Sequence, residues 1–473
     1  MNINANNALK KLIFIIAVML AGIIITVGVT EFALYSTRET RHKLNPPGGD
    51  VDVSKLPDSP YKMPEKTVPQ ATSAQKIPEG FMPPVDKNTP LPINSKKANN
   101  TLDNLLFAMS FYYRIPVEDE MESSVVGWDV ETGYYLPDKS APIMSLARNV
   151  RYLLILKLYQ KLYPTTKYFD NDAARIESIA RRQLDPKNLD SMLTNAITIL
   201  RFIPNKLLYD LLDLSKITGD NLYRTSALKV GEKLSIPVVV QTGLIKSNRD
   251  RTDKVGMFGD AASGYITGKE MGKLDLTEDA QILMDELMKE LWAEKFNLFY
   301  TNSAIGQFGN ITETFITTNQ MHALGNIVRF AEASQDKTLA EKAQKILTSM
   351  ADGSNVICDT KHFGFFRRYN GKSQTPHEDY KLSEDHIAYL EAWIRLNMMF
   401  DGQFEKILNT EYDGFEMFLY NDYTNCIFLS YEMDWKPHLE ENGKPIASVD
   451  AILDYLLMTL QDREFVGKKA AGS

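Results

Sequence analysis

A helical hairpin that recurs along the chain is the feature that most constrains its fold. Three segments read as a helix, a tight turn containing an aspartate and a second helix, with the turns at Asp220, Asp336 and Asp401. Their sequences are "LLYDLLDLSKITGDNLYRTSALKVGEKL", "IVRFAEASQDKTLAEKAQKIL" and "YLEAWIRLNMMFDGQFEKIL". Aspartate is a preferred N-cap residue, so we expect each of the three to begin its second helix. The pattern predicts a tandem array of αα-hairpins.

The same offsets after each aspartate carry residues suited to a core. Positions three and seven residues later share one helix face, so we expect them to pack inward. These residues are Tyr223, Ala227, Leu339, Ala343, Phe404 and Leu408.

Helical periodicity also extends over most of the chain after residue 100. Apolar residues recur at helix spacing in 145–163, 205–217, 279–296, 319–334 and 385–400. No series of alternating strands competes with them, and the gap between the first two turns leaves room for a further hairpin. A hairpin about every 60 residues gives about six, which bury their apolar faces best by closing into a ring. We therefore predict an all-α domain over residues 101–473.

This organisation resembles the six-hairpin, or (α/α)6 toroid, glycosidase-like superfamily. The resemblance covers roughly residues 145–460 and rests on the "TGDNLY" turn with its two echoes, and on "CDTKHFGFFRRYNGKSQTP" at 358–376. Members often carry a D…GGFF-like segment between hairpins, and here Phe363 replaces the first glycine. The resemblance implies a carbohydrate ligand, because many members are glycoside hydrolases, sugar epimerases or polysaccharide lyases. Catalysis has to be argued separately, from the site itself.

In such toroids the first helix of each hairpin lines the inside, and substrate binds where the loops leading into those helices converge. Applied to this chain, the resemblance places these loops at about 125–144, 248–278, 301–318, 363–385 and 421–440. The loops are rich in aromatic residues, which stack on sugar rings, and in carboxylates, which transfer protons. Glycoside hydrolysis generally needs two carboxyl groups beside the scissile bond.

The candidate residues come from these loops. The candidate acids and bases are Asp129, Glu313, Glu378, Asp379 and Asp434. The candidate substrate-binding residues are Trp128, Tyr134, Tyr135, Arg249, His377, Tyr380 and Trp435. Structural alternatives remain open: a packed tryptophan in a surface hairpin around Trp128, pairing of Arg249 with nearby aspartates, and a chance Asp-Trp pair at 434–435.

The stretch "TPHEDYKLSEDH" at 375–386 divides into two parts. Its second half is typical of a helix N-terminus, with Ser383 as the cap and Glu384 and Asp385 complementing the helix dipole. The part from His377 to Tyr380 has no such explanation and stays a candidate. His322, on a helix with an apolar face, is interpreted as a core residue. The histidine spacing fits no zinc motif, so we expect no metal or other cofactor.

An uninterrupted apolar run precedes the helical domain. Leu12 to Thr30 contains no charged residue and is long enough to span a bilayer, so we interpret it as an uncleaved anchor after a cytoplasmic tail, 1–11. Basic residues flank the run on both sides, and the large body that follows favours a domain outside the cytoplasm. Eleven of the 21 prolines fall within 44–100, which predicts an extended linker.

Composition narrows the function further. The formal net charge of −8 argues against a nucleic-acid-binding protein, which normally carries a basic excess. Cys358 and Cys426 fit no metal or redox spacing and are either one disulfide or two buried thiols.

These features together predict a membrane-anchored carbohydrate-active protein located in the periplasm or outside the cell. We expect a glycoside hydrolase-like enzyme that uses paired carboxylates on a polysaccharide or oligosaccharide. Its other expected partners are the lipid bilayer and proteins of the cell envelope. The alternative is a non-catalytic glycan-binding or scaffold subunit of an envelope assembly.

Overall fold

The structure is a computed structural model that describes most of the helical domain. It describes residues 95–113, 124–129, 135–138, 142–196, 202–244, 255–300, 314–377, 380–421, 426–439 and 445–472. These residues lie in one compact unit, Thr72–Ser473. The predicted tail, anchor and linker lie outside the described residues, apart from the last few positions of 44–100. No helix in the described part of the chain is long and apolar enough to cross a membrane.

Helices form most of the described structure. In chain order they are α1 (Ser95–Tyr113), α2 (Pro142–Leu162), α3 (Asp170–Gln183), α4 (Pro186–Ala196), α5 (Phe202–Thr218), α6 (Asn221–Leu244), α7 (Met257–Met271), α8 (Leu274–Leu291), α9 (Thr317–Ser334), α10 (Lys337–Ala351), α11 (Ser383–Met399), α12 (Glu405–Leu419) and α13 (Val449–Gly472). All five stretches with predicted helical periodicity are helical over most of their length.

Short strands lie between the helices. They are β1 (Ser124–Asp129), β2 (Tyr135–Asp138), β3 (Trp292–Ala293), β4 (Leu298–Phe299), β5 (Thr314–Ile316), β6 (Arg368–Asn370), β7 (Thr375–His377), β8 (Lys381–Leu382), β9 (Tyr420–Asn421), β10 (Cys426–Ile427), β11 (Ser430–Tyr431) and β12 (Ile446–Ser448). They form antiparallel sheets in the orders β12-β1-β2 and β5-β6-β7, and the pairs β3-β4, β8-β11 and β9-β10.

The helices form two concentric rings. Helices α2, α5, α7, α9, α11 and α13 contact one another in that order, and α13 returns to α2 to close the inner ring. The outer ring is made by α3 with α4, then α6, α8, α10 and α12, each packed on the inner helix before it. Helix α1 packs on α13 and supplies the sixth outer helix. The predicted ring of six helical hairpins is confirmed, in a domain that is mostly helical and also carries short strands.

Burial after the three turns agrees with the sequence pattern. All six residues at the +3 and +7 positions are at most 6 % exposed, and they pack between the rings. The further hairpin expected between the first two turns is α7–α8, which turns at Gly272.

The capping prediction holds for two of the three aspartates. Asp336 Oδ1 accepts the Leu339 N–H at 3.0 Å, and Asp220 Oδ1 accepts the Leu222 N–H at 2.8 Å. The prediction is wrong for Asp401, which lies in the left-handed region with φ of 49° before α12 begins. There the Asn397 side chain is the acceptor instead, and its Oδ1 accepts the Phe404 N–H at 2.9 Å. Residues 400–404 form an extra turn between the two helices.

Three strands run directly into inner helices. β5 is followed by α9, β8 by α11 and β12 by α13, so these connections lie at the N-terminal ends of the inner ring. The predicted loop 248–278 is wrong from Met257 onward, because that part forms α7 and the start of α8. Its glycines serve close packing: a Cβ at Gly259 would lie 2.4 Å from Nδ2 of Asn205.

Candidate functional site

The inner helices run parallel, so their N-terminal ends meet at one mouth of the ring. Ion pairs join residues near the N-terminal end of one inner helix to residues near the N-terminal end of another, which shows that the helices point the same way. Arg148 near the start of α2 pairs with Asp450 at the start of α13, and Lys206 near the start of α5 pairs with Asp454 at 2.8 Å. The space enclosed by the ring, which we call the lumen, is therefore lined with charged side chains.

One paired network lies below the mouth. Arg151 Nε contacts Asp210 Oδ2 at 2.8 Å, and Arg151 also pairs with Asp454. The side chains of Arg151 and Asp210 are less than 10 % exposed. These charges connect α2, α5 and α13 across the lumen, and each has an opposite charge beside it.

A second network lies between α9 and α11. Glu391 pairs with Arg329 and with Arg395, whose Nε lies 3.2 Å from Glu391 Oε1. Burial alone would raise the pKa of Glu391, but the two guanidinium groups outweigh it and hold that pKa below its usual range. Arg395 also reaches Glu332 at 3.2 Å. Like the first network, this one consists of paired charges.

Glu384 differs from these groups because it forms no ion pair or hydrogen bond with any described residue. It lies in the first turn of α11 and is half-buried, facing the lumen near the mouth. Burial raises its pKa to about 7, and the negative charges of Asp450 and Asp454 add to the increase against the opposing charge of Lys206. Glu384 is therefore close to half protonated at neutral pH.

Asp450 is a carboxylate whose pKa is shifted in the opposite direction, downward. Burial would raise its pKa, but the Arg148 guanidinium outweighs this and lowers it. Arg148 donates two hydrogen bonds to the Asp450 carboxylate, Nε to Oδ1 and Nη2 to Oδ2, both at 2.8 Å. This bidentate pair keeps Asp450 ionised at neutral pH.

His322 and Asp385 complete the mouth, so the interpretation of His322 as a core residue is wrong. His322 is half-buried, and burial together with the charge of Lys206 lowers its pKa to about 4, so the imidazole is neutral at pH 7. Asp385 is 2 % exposed. Burial raises its pKa to about 7 against a hydrogen bond with Thr318, and its Oδ1 has no partner among the described residues.

The arrangement supplies one carboxyl that holds a proton near pH 7 and one that does not. Two titratable groups whose surroundings push their pKa values apart are the usual basis for assigning a general acid and a general base. Glu384 and Asp450 have this relationship and lie on neighbouring inner helices at the same mouth.

The helix-terminus interpretation of 383–386 needs correction. Ser383 does not cap α11: Leu382 occupies the N-cap position without a side-chain hydrogen bond, and Ser383 Oγ donates to the Leu429 carbonyl at 3.1 Å. Glu384 does lie in the first turn, but it points into the lumen, where burial and then the charges of other helices shift its pKa. Its position at the start of an inner helix was the signal that could have identified it.

Several predicted site residues cannot be placed. Tyr134, Arg249, Glu313, Glu378 and Asp379 lie outside the described residues and stay predictions. Trp128, Asp129 and Tyr135 are described for their backbones only. In the sheet, Trp128 lies opposite Ala447 of β12 on one side and Tyr135 of β2 on the other. Asp129 lies opposite Ile446 of β12, the strand that leads into α13.

Two further predicted residues lie around the sheet that leads into α9. His377 is exposed on β7, opposite Arg368. Tyr380 is half-buried, with Arg367 over its ring at 4.5 Å and the His438 ring stacked 5.0 Å away. Arg367 also acts on the carboxyl group of Asp385, so this cluster is near the mouth.

Trp435 and Asp434 lie elsewhere, between α11 and α12. Trp435 is 8 % exposed, stacks on Phe418 at 5.1 Å and donates its indole N–H to the His362 carbonyl at 2.7 Å. Asp434 is exposed and pairs with Lys436 at 2.8 Å, which lowers the Asp434 pKa. Neither residue therefore lies in the lumen with Glu384 and Asp450.

Comparison with known proteins identifies the architecture. No protein-family model and no curated protein sequence matches this chain. A crystal structure of an unsaturated glucuronyl hydrolase specific for heparin matches with a TM-score of 0.52 and 13% identity, over 79% of this chain and 97% of that chain. The described domain is a six-hairpin (α/α)6 toroid.

Two other solved toroids show the same likeness. Cellobiose 2-epimerase from Bacillus thermoamylovorans B4167 matches with a TM-score of 0.53 and 9% identity, over 76% of this chain and 98% of that chain. Unsaturated glucuronyl hydrolase from Bacillus sp. GL1 matches with a TM-score of 0.50 and 12% identity, over 77% of this chain and 95% of that chain. Identities this low establish the fold, and the activity has to be argued from the toroid's own residues.

The toroid also settles the state of the cysteines. Cys358 and Cys426 are both thiols and are not joined in a disulfide. In the part of the chain that the structure describes, no three histidine, cysteine or carboxylate side chains are grouped as metal ligands.

Proposed function

We propose that this protein is a carbohydrate-active enzyme, most similar in chemistry to a glycoside hydrolase, with its reaction centre in the lumen. One observation carries the proposal: Glu384 and Asp450 share the mouth of the toroid with pKa values shifted in opposite directions. The similar toroids support a sugar substrate, since their names include glucuronyl hydrolases and a cellobiose epimerase.

Glu384 acts as the general acid. Its carboxyl group is half-buried at the mouth and unpaired among the described residues, so it can donate a proton to the oxygen of a leaving sugar. Asp450 acts as the general base, because the Arg148 pair keeps it ionised. Lys206 lies near both carboxylates and stabilises negative charge when the two groups are ionised together.

The loop residues predicted from the sequence extend the site in this proposal. Asp129, Glu313, Glu378 and Asp379 would contact the substrate around the mouth, while the acid and base come from the inner helices. The alternative, a non-catalytic glycan-binding or scaffold protein, is favoured by the lumen charges that are paired with one another, such as Arg151 with Asp210.

The decisive experiment measures turnover on a panel of neutral and acidic oligosaccharides, with mass spectrometry of the products. Glu384→Gln and Asp450→Asn keep the side-chain shapes and remove the proton transfer. We expect each to lower turnover by about 10²–10⁴-fold. The control is Glu341→Gln on the exposed face of α10, which should keep wild-type turnover and melting temperature.

The outcomes separate the two functions. Turnover in the wild type that is lost in both lumen variants supports the enzyme. Oligosaccharide binding without any product, together with unchanged binding by Glu384→Gln, would support the glycan-binding alternative.

Membrane anchoring by residues 12–30, with the domain outside the cytoplasm, is part of the same proposal and rests on the sequence. Protease added to cells whose outer layer has been opened, with the inner membrane left intact, should digest the toroid. Full protection in these cells, with digestion after lysis, would show that the domain faces the cytoplasm.

A further inference from the structure

A cavity of about 500 Å³ lies outside the lumen, on the other side of α11. It is open on one side and is lined by the end of α10, by α12, and by the loop that carries residues 358–365. This volume is within the range of small-molecule sites and is large enough for a single six-membered ring with substituents.

A buried ion pair holds one wall of the cavity in place. Lys381 is 0 % exposed, and its ammonium group contacts Asp359 Oδ2 at 2.8 Å and the carbonyls of Phe363 and Met433 at 2.6 and 2.9 Å. These three acceptors use all three donors of the ammonium group. Asp359 also accepts the backbone N–H of His362 at 3.1 Å. Neither charge of this pair is therefore left for a ligand.

The backbone at the wall is fixed in an unusual conformation. Phe363 and Trp435 both have φ of 67°, which costs free energy for residues with large side chains. Gly364 has φ of 87°, and a Cβ there would lie 2.6 Å from Nε2 of His386 and 2.7 Å from the Trp435 ring. The wall is thus formed in advance of any ligand.

Glu411 of α12 presents a carboxyl group to this cavity. It is 7 % exposed, and its Oε2 accepts a hydrogen bond from the Tyr389 hydroxyl at 3.2 Å. Its Oε1 forms no hydrogen bond or ion pair with any described residue. Burial raises the pKa of Glu411 to about 7 against the hydrogen bond from Tyr389. The facing Cys358 thiol, whose pKa burial raises to about 12, is neutral at pH 7.

Aromatic rings line the cavity beside this carboxyl group. Phe418 is stacked on Trp435 at 5.1 Å and tilted against Phe363 at 5.6 Å, and all three contribute to the lining. Because the Lys381 ammonium group already lies over the Trp435 ring at 4.8 Å, the attraction for a ligand cation comes from the ionised carboxylate, and the rings supply an apolar surface. A cation that entered the cavity would compensate Glu411.

We propose that this cavity binds a monosaccharide-sized ring that carries a protonated amine, with the ammonium group on Glu411 and the ring against Phe418 and Trp435. The inference does not depend on the lumen reaction, because its residues belong to α10, α12 and their loops. An amino sugar and an apolar cyclic amine share the required chemistry, and the test distinguishes them.

The test measures binding by isothermal titration calorimetry, in which glucosamine, cyclohexylamine or glucose is added to the full-length protein near neutral pH. We expect at least one amine to bind saturably and more than about 10-fold tighter than glucose, which lacks the charge. Preference for glucosamine would identify the ligand as an amino sugar, and preference for cyclohexylamine would identify an apolar amine.

Two variants make the result specific. Glu411→Gln keeps the shape and can still accept the Tyr389 hydrogen bond, and it should weaken amine binding by about 10-fold or more. Glu405→Gln, on an exposed position of the same helix, should bind as the wild type does. Equal amine binding by Glu411→Gln and wild type at unchanged melting temperature would overturn the proposal, as would amines that bind no better than glucose. Glu384→Gln should retain amine binding, so a failure of the lumen reaction leaves this inference intact.

Discussion

Arg148 and Asp450 join the first inner helix of the toroid to the last through two hydrogen bonds of 2.8 Å, across 302 residues of sequence. The pair therefore has two consequences. It closes the inner ring between α2 and α13, and it keeps the proposed base ionised.

Replacing Arg148 tests both consequences. Arg148→Ala should lower the free energy of unfolding by about 1–3 kcal/mol, less than for a fully buried pair because the Asp450 side chain is 37% exposed. It should also raise the pKa of Asp450. On lowering the pH, activity should therefore begin to fall at a higher pH than in the wild type. Urea unfolding and a pH–activity profile measure the two effects. An unchanged unfolding midpoint would show that the pair does not stabilise the contact between α2 and α13.

The network around Arg151 should contribute more to stability. Arg151→Ala leaves the Asp210 and Asp454 carboxylates without their shared cation, in side chains only 3% and 12% exposed, and we expect a loss of about 3–5 kcal/mol. The control is Arg224→Ala, which breaks an exposed pair with Glu270 and should cost less than about 1 kcal/mol. Similar losses in the two variants, measured by urea unfolding, would show that the lumen charges are not energetically coupled.

The raised pKa of Asp385 should make the stability of the protein depend on pH. Its pKa is raised from 3.8 to about 7 in the folded protein, so the folded state binds the proton more tightly. The stabilisation from this group is complete below about pH 4 and is lost as the pH rises to about 7. Asp385→Asn removes the dependence, and its stability relative to the wild type should rise by on the order of 4 kcal/mol between about pH 4 and 8.

The difference between the two proteins isolates Asp385 from other groups. Glu384, Glu411 and Asp462 also have pKa values of about 7 and give the wild type a slope of the same sign. Urea unfolding at several pH values measures the difference. Parallel curves for wild type and variant would mean that Asp385 titrates normally.

The two aspartate turns with different geometry offer a matched pair. Asp336→Ala removes a side-chain cap from α10 and should cost about 0.5–2 kcal/mol. Asp401→Gly should be neutral or slightly stabilising, because Asp401 has φ of 49° and caps no helix. Thermal unfolding of both variants checks this, and equal destabilisation would restore the capping role that the sequence predicted for Asp401.

Much of the fold could be predicted because its signals are local. Helical periodicity and the residues packed after each turn depend on neighbours within one hairpin, as the burial of Tyr223 and Leu339 shows. The Asp401 turn was mispredicted because the cap position there depends on Asn397, several residues earlier.

The lumen could not be predicted in the same way. Arg151, Asp210 and Asp454 look like charges on the solvated faces of amphipathic helices, and only ring closure brings them together. Glu384 was assigned to the helix dipole because a first-turn acid fits that explanation. Its raised pKa comes first from burial inside the closed ring and then from Asp450 and Asp454 on another helix, and a single stretch of sequence shows neither.

The pH dependence of kcat/KM tests the central claim most directly, once a turned-over oligosaccharide has been found. We expect an alkaline limb near pH 7, where Glu384 loses its proton, and an acid limb below the usual aspartate range, set by Asp450. In Glu384→Gln the alkaline limb should disappear together with most of the activity. An alkaline limb that persists at the same pH in this variant, with activity retained, would contradict the assignment of Glu384 as the acid.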